Sequence, residues 1–255
     1  RAAEAAGLAS PREAIADVSS SIPGYGPSDV YYPAWLEGEW QAASELVAVE
    51  APQGDALAGE SAVRLRGSIG SPAAVETYPQ RYVAYRGRII ADRAYNVRGL
   101  VRSGGGLESV EWDPSNPNSL TVTTRRDRQS VRTSLRVTRR AVGVPEGREA
   151  DLFNASEFYQ EVVDAGAGAV PGAAGGLIAA GAPKVTPIRC VNKFRRVAGP
   201  RIQVLQRVEV FPTPAAADAR DFADALRGGG SDLGQPVAIY KYRAVLSRPD
   251  AAGAG

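Results

Sequence analysis

The sequence predicts a mainly β chain, folded as a single antiparallel up-and-down barrel of about ten strands. Three observations carry this. From Trp40 onward, apolar and polar residues alternate with a period of two through most segments up to 248. Compact turn formers separate these segments, among them Asp113-Pro114-Ser115-Asn116-Pro117-Asn118 and Gly199-Pro200. Strands joined in order by short turns suit a closed barrel, which also removes exposed sheet edges.

Length and composition set the frame. The 255 residues are 44% hydrophobic, enough for one large β domain or two small ones with a real core. The chain opens at Arg1, which reads as a leader removed upstream. Residues 1–34 form an N-terminal arm that also plugs the barrel, with a short helix near 11–18 started by Ser10-Pro11-Arg12-Glu13. Residues 35–248 form the barrel. In its first strand Trp40, Ala42, Ser44, Leu46 and Ala48 share a face. Strands are expected at 63–69, where Val63, Leu65 and Ile69 alternate with Arg64, Arg66 and Ser68, and then at 80–86, 88–101 and 107–112. Further strands follow at 119–125, 129–142, 155–163, 186–197, 201–211 and 236–248. In the strand at 129–142, Val131, Thr133, Leu135 and Val137 face inward and Arg132, Ser134, Arg136 and Thr138 outward. Residues 164–183 read as a flexible Gly/Ala-rich loop, and 249–255 as a disordered tail. A short helix opened by Thr213-Pro214 precedes the last strand.

Composition also excludes chemistry. There is no histidine, so Ser–His–Asp and Cys–His catalysis and histidine metal sites are ruled out. The single Cys190 allows no internal disulfide and no cysteine metal cluster, and it reads as a small buried hydrophobe. Nucleotide-binding glycine loops are missing. No apolar run approaches the roughly 18–20 residues that cross a bilayer. No side chain titrates by default near pH 6.5, so surface charge stays nearly constant from about pH 5.5 to 8. Carboxylate-pair catalysis stays open, since acidic residues are plentiful, but nothing singles out a pair, and the expectation is a non-enzyme without cofactor or metal.

Charge is uneven. Residues 121–148 hold eight arginines against two acids, +6, which leaves −4 for the rest of a chain of net charge +2. No aromatic platform is interleaved, so nucleic acid is not the expected partner. The arginines read as a solvated barrel wall or as a docking face for an acidic protein surface. Arg125, Arg126, Arg128, Arg139 and Arg140 are the candidate partner-binding residues, with Tyr25, Tyr31, Tyr32 and Trp35 of the arm. Asp92, Arg93 and Asn96 form a candidate polar cluster, with Asp92 and Asn96 on one strand face. It reads as a barrel-mouth site or, preferably, as an ion pair that holds register.

Gly38-Glu39-Trp40 resembles the Gly-x-Trp opening of lipocalin-like (calycin) barrels. That resemblance implies a basic residue from the last strand region packed over the indole, Arg243 or Arg248, with Arg243 preferred. Four stretches, IPGYGPSDVYYPAWLEGEW (22–40), GRIIADRAYNVRGL (87–100), VNKFRRVAGPRIQVLQRVEVF (191–211) and GQPVAIYKYRAVLSR (234–248), resemble an uncharacterised family of thylakoid-lumen proteins of plants, algae and cyanobacteria. The resemblance implies a chloroplast thylakoid-lumen location, soluble or peripherally attached. It implies an auxiliary factor that docks on a photosystem II assembly or repair intermediate, with core subunits as partners on the lumenal side. The alternative is a lipocalin-like carrier of a small apolar ligand such as a pigment, quinone or lipid.

Overall fold

The computed structural model describes residues 28–102, 106–126, 129–143, 151–164, 184–197, 199–213 and 234–249. The expected helices near 11–18 and 214–226, Tyr25, Arg128, the loop 165–183 and the tail 250–255 lie outside the described residues.

Ten antiparallel strands form one curled sheet. They are β1 (Gly38–Glu50), β2 (Val75–Tyr85), β3 (Arg88–Ala91), β4 (Leu107–Asp113), β5 (Asn116–Arg126), β6 (Gln129–Gly143), β7 (Leu152–Asp164), β8 (Lys184–Val197), β9 (Arg201–Val210) and β10 (Ala238–Ser247). Their order is β3-β2-β1-β10-β9-β8-β7-β6-β5-β4. Apart from β3 and β4, strands that are neighbours in sequence are neighbours in the sheet, and β10 returns to pair with β1, as an up-and-down meander requires. The ring of hydrogen bonds is not complete, because β3 and β4 do not pair. A helix, α3 (Arg93–Arg102), runs between them and contacts both β2 and β4.

That helix corrects the expected long strand at 88–101. Its start is local chemistry. Asp92 sits where the strand ends, and its Oδ1 accepts the Tyr95 backbone N–H (3.0 Å) while its carbonyl accepts from Asn96 (2.9 Å). An aspartate at this position satisfies an amide that a helix N-terminus leaves unpaired. Ala94 and Val97 then pack on a small core of Val110, Leu120 and Val122. Gly99 is needed for packing, since a Cβ there would collide with the Pro79 carbonyl. The expected strand at 63–69 is also helical. Helices α1 (Asp55–Ala58) and α2 (Glu60–Ser68) lie between β1 and β2, with Ala58 and Ala62 buried against Leu46 and Ala238 and Val63 exposed. Seven alternating residues are too few to separate a period of 2 from one of 3.6.

Two β-bulges change the phase of the alternation. In β1 the register slips between Leu46 and Ala48, so Val49, rather than Ala48, joins the buried face after Leu46. In β6 the slip falls between Val137 and Arg139. An extra residue in one strand sends every later side chain to the opposite face. Arg140 therefore turns inward, directly across from Glu157.

The Gly38-x-Trp40 opening has a clear physical cause. Trp40 is buried, its indole Nε1 donates to the Leu36 carbonyl (2.7 Å), and the Arg248 guanidinium lies 3.7 Å from the ring centre. The same guanidinium donates to the carbonyls of Glu39 (3.1 Å) and Glu37 (2.7 Å). Gly38 has φ of 105°, and any Cβ there would overlap Arg248. The preferred Arg243 does not hold this position. It lies on the outer wall, 2.7 Å from Glu45 across the β1–β10 pair.

Candidate functional site: an interior cavity with a buried ion cluster

The concave face of the curled sheet lines an open-sided cavity of about 270 Å³. Leu120 of β5, Leu135 and Val137 of β6, and Val97 of α3 give its wall apolar contact, beside Asn118 of β5 and Arg93 and Asn96 of α3. The arc from β7, β8 and β9 carries a polar band. It results from polar residues placed on the inward phase of otherwise apolar strand faces. In β7 the inward series is Phe153, Ala155, Glu157, Tyr159; in β8 it is Ile188, Cys190, Asn192, Phe194; in β9 it is Ile202, Val204, Gln206.

The segment before β1 closes the end of the barrel that holds Trp40. Val30 and Leu36 are fully buried. Tyr32 pairs by its backbone with Ile89 of the free edge strand β3 (2.8 Å). Its ring packs against Tyr82, Phe153 and Phe194 at 4.8, 5.4 and 6.0 Å. Each such aromatic pair contributes about 0.5–1.5 kcal/mol beyond the area it buries. Burial pushes the Tyr32 hydroxyl well above the ordinary tyrosine range.

An ion cluster lies at the cavity wall beneath this segment. Arg93, the first residue of α3, donates to Glu157 through Nη1 (3.1 Å) and Nη2 (2.8 Å), and Nη2 also donates to Asp29 (2.7 Å). Arg140 donates from Nε to Glu157 (2.7 Å), from Nη2 to the Pro117 carbonyl (3.0 Å), and from Nη1 to the Ser28 carbonyl (3.2 Å) and Asn118 Oδ1. Two guanidiniums and two carboxylates balance. Burial by itself would raise the Glu157 carboxyl, but the charges of Arg93 and Arg140, and then their hydrogen bonds, bring it down to about 2. Burial opposes charge on Arg93 as well, yet Glu157 and Asp29 raise its pKa further still. Two polar atoms of the cluster, Arg93 Nε and Asp29 Oδ2, are buried without a partner among the described residues.

The polar band continues from there. Glu157 is paired with Cys190. Gln206 Nε2 donates to Asn192 Oδ1 (2.9 Å) and approaches Cys190 Sγ (3.5 Å), as does Asn192 Nδ2 (3.5 Å). Burial, and then the Glu157 charge, push the Cys190 thiol up to about 12. The thiol stays protonated at neutral pH and is a poor nucleophile.

The sequence-predicted residues distribute as follows. Asp92, Arg93 and Asn96 lie on α3 and its cap, not on a strand. Asp92 and Asn96 hold β2: the Asp92 carboxylate pairs with Arg81 (2.6 Å), and the Asn96 side chain accepts from Arg81 N (2.6 Å) and donates to its carbonyl (3.2 Å). Arg93 alone of the three enters the ion cluster. Tyr32 and Trp35 pack on the core, while Tyr31 is exposed beneath Arg88 (4.7 Å). Arg125 is exposed and paired with Glu108 (2.6 Å), Arg126 ends β5, and Arg139 is half-buried. Arg140 is no docking residue, being 5% exposed. Cys190 does lie on the inward face, but it borders a cavity instead of filling a core. Sequence reasoning missed Asp29, Glu157, Asn192 and Gln206. The usable signal was an acid or amide in phase with the core residues of its strand.

No helix among the described residues is long and apolar enough to cross a membrane. Comparison with known families is informative on one point. The model of the family described as Domain of unknown function (DUF6816) matches residues 24–250. The chain belongs to that family. The DUF6816 match therefore spans the segment that closes the barrel, the Trp40–Arg248 contact and every residue of the ion cluster. No curated protein and no solved structure matches the chain.

Proposed function

We propose that the DUF6816 barrel is a non-catalytic carrier that holds a small ligand, and that it works in the thylakoid lumen. The observation that supports the carrier reading is the cavity of about 270 Å³, where apolar side chains such as Leu120, Leu135 and Val137 meet polar groups such as Tyr78, Gln80 and Gln206. Ligand pockets are concave and mostly apolar, with a few fixed polar groups that orient what they hold. A ring system such as a quinone head suits a cavity of this size. Residues that resemble thylakoid-lumen proteins support the location. Native mass spectrometry of the protein, purified from thylakoids without detergent, tests the reading. A retained small molecule, displaced in Leu135→Trp, is the expected result. A bare mass, with no binding of any ring-sized probe, refutes it.

A second reading, docking on a photosystem II assembly or repair intermediate, is favoured by one further observation. Leu57, Val63, Ile69 and Val75, in and beside the helices between β1 and β2, are all exposed by 37–49%. An apolar ridge of this kind fits a protein surface. Pull-down of tagged protein from gently solubilised thylakoids should recover photosystem II core subunits. Recovery that survives high salt fits the ridge, and recovery lost in high salt fits exposed arginines such as Arg125. Recovery of the protein alone refutes stable docking.

A further inference from the structure

The outer face of β8, β9 and β10 carries an exposed leucine ringed by cations. Alternation sends Cys190, Asn192, Val204 and Gln206 to the cavity, so Lys193, Arg195, Leu205 and Arg207 point outward. Register places them relative to one another. Leu205 lies between Lys193 on β8 and Arg243 on β10, and Arg207 lies between Val191 and Lys241. Arg195 is opposite Gln203, two residues from Leu205 along β9. Five cations therefore surround Leu205 as direct or diagonal neighbours, at Cα separations of roughly 5–8 Å. Leu205 itself is 57% exposed, the most of any large apolar side chain among the described residues.

Ion pairing shapes the ring. Arg243 pairs with Glu45 (2.7 Å) and Lys241 with Glu50, both on β1, beyond β10. Arg207 pairs with Glu209 (2.8 Å), two residues further along β9. Each acid lies on the far side of its cation from Leu205, so it draws the charged head away and leaves the leucine open. On the β8 side, Lys193 and Arg195 face Asn154 and Leu152 of β7, which carry no charge. Both cations are without an ion-pair partner among the described residues. Uncompensated positive charge thus borders exposed apolar surface here. In the Arg-rich segment 121–148, by contrast, Arg125 and Arg132 pair with Glu108 and Glu111, and Arg140 is buried.

We propose that this face docks an acidic protein segment through one apolar anchor side chain. The anchor sits on Leu205, and flanking carboxylates meet Lys193 and Arg195. An apolar contact ringed by polar groups that exclude water has the anatomy of an interface hot spot. The three strands are hydrogen-bonded on both sides, so the partner contributes side chains and not an added strand. Like charge opposes a second copy of the same face. Shape opposes a lipid surface, because leucine is shorter than the lysine and arginine side chains around it and does not reach past their heads into an acyl layer. The surface goes beyond both readings above and shares no residue with the cavity, the exposed ridge or Arg125.

The test is an NMR titration of the full chain with three synthetic peptides of equal length. One is a run of glutamates with a central phenylalanine, the second has serine for the phenylalanine, and the third has serines for the glutamates. The first should shift the amides of Lys193, Leu205 and Arg243 and bind about tenfold tighter than either control at low salt. Leu205→Ser should weaken it about tenfold. The double variant Lys193→Glu, Arg195→Glu should also weaken it about tenfold at low salt, with the loss shrinking in high salt. These side chains are exposed, and thermal melts confirm folding; if Leu205→Ser does not fold, Leu205→Thr serves, since threonine suits a strand. Equal binding of the three peptides, or shifts confined to the Leu57–Val63 ridge or Arg125, overturns the proposal. So does tighter binding to phosphatidylglycerol vesicles that Leu205→Ser leaves unchanged, which assigns the face to a lipid surface. If no peptide binds while the pull-down still recovers photosystem II core subunits, this inference alone falls. If neither binds, stable docking falls with it.

Discussion

Replacing Glu157 by glutamine is the sharpest perturbation of this structure. The carboxylate takes three short bonds, 3.1 and 2.8 Å from Arg93 and 2.7 Å from Arg140, and its side chain is 17% exposed. In Glu157→Gln both guanidiniums stay buried with Asp29 as the one remaining carboxylate. Two independent routes give the magnitude. Removing one partner of a buried ion pair costs about 3–5 kcal/mol. The depression of the Glu157 carboxyl from 4.5 to about 2 corresponds, at 1.36 kcal/mol per pH unit, to roughly 3 kcal/mol. The sign follows from linkage. Because the folded-state value lies below the unfolded one, this stabilisation is complete above about pH 5 and is lost as pH falls from about 4.5 towards 2. Urea unfolding followed by tryptophan fluorescence, at pH 7, 5 and 3, reads both effects. Glu157→Gln should lose about 3 kcal/mol at pH 7 and at pH 5, and its deficit should shrink at pH 3. A deficit below about 0.5 kcal/mol at pH 7, or one that already shrinks between pH 7 and 5, would refute the reasoning about the cluster.

Three further outcomes follow from the geometry. Arg248→Ala removes a cation–π contact and two carbonyl bonds at Trp40 and should lower stability by about 1–2 kcal/mol, whereas Arg243→Ala on the exposed outer wall should change it by less than about 0.5 kcal/mol; thermal melts compare the two. Gly38→Ala combines a positive φ with overlap on Arg248 and should destabilise by about 1–3 kcal/mol, with a loss of the tryptophan signature of the native state in near-ultraviolet circular dichroism. With its pKa pushed up to about 12, Cys190 should resist a water-soluble maleimide at pH 8 in the folded protein and react fully in denaturant; fast labelling of the native state would contradict its burial beside Glu157.

The polar cavity wall was partly legible before any coordinates. Glu157 falls in phase with Phe153 and Ala155, and Gln206 with Ile202 and Val204, so a strand-by-strand search for acids and amides on the apolar phase finds them. Arg140 was not legible in this way. Its outward assignment followed correctly from strict alternation, and only the β6 bulge reversed it. Helix α3 was half-legible. Asp92 is a good cap residue, but the capping bond competes with continuing the β2–β3 ladder, and the outcome depends on what lies beside β3.

The sequence by itself determined the number of late strands, their hairpins and the Gly38-x-Trp40 opening. These rest on alternation and turn chemistry, which act within a few residues. The tertiary structure decided the rest. It set which residues follow each bulge inward, because a bulge's position depends on the register of the partner strand. It chose Arg248 over Arg243 for the indole, and it used a helix in place of hydrogen bonds between β3 and β4. It also united Asp29, Arg93, Arg140 and Glu157, since charges survive burial only where distant segments bring their partners together.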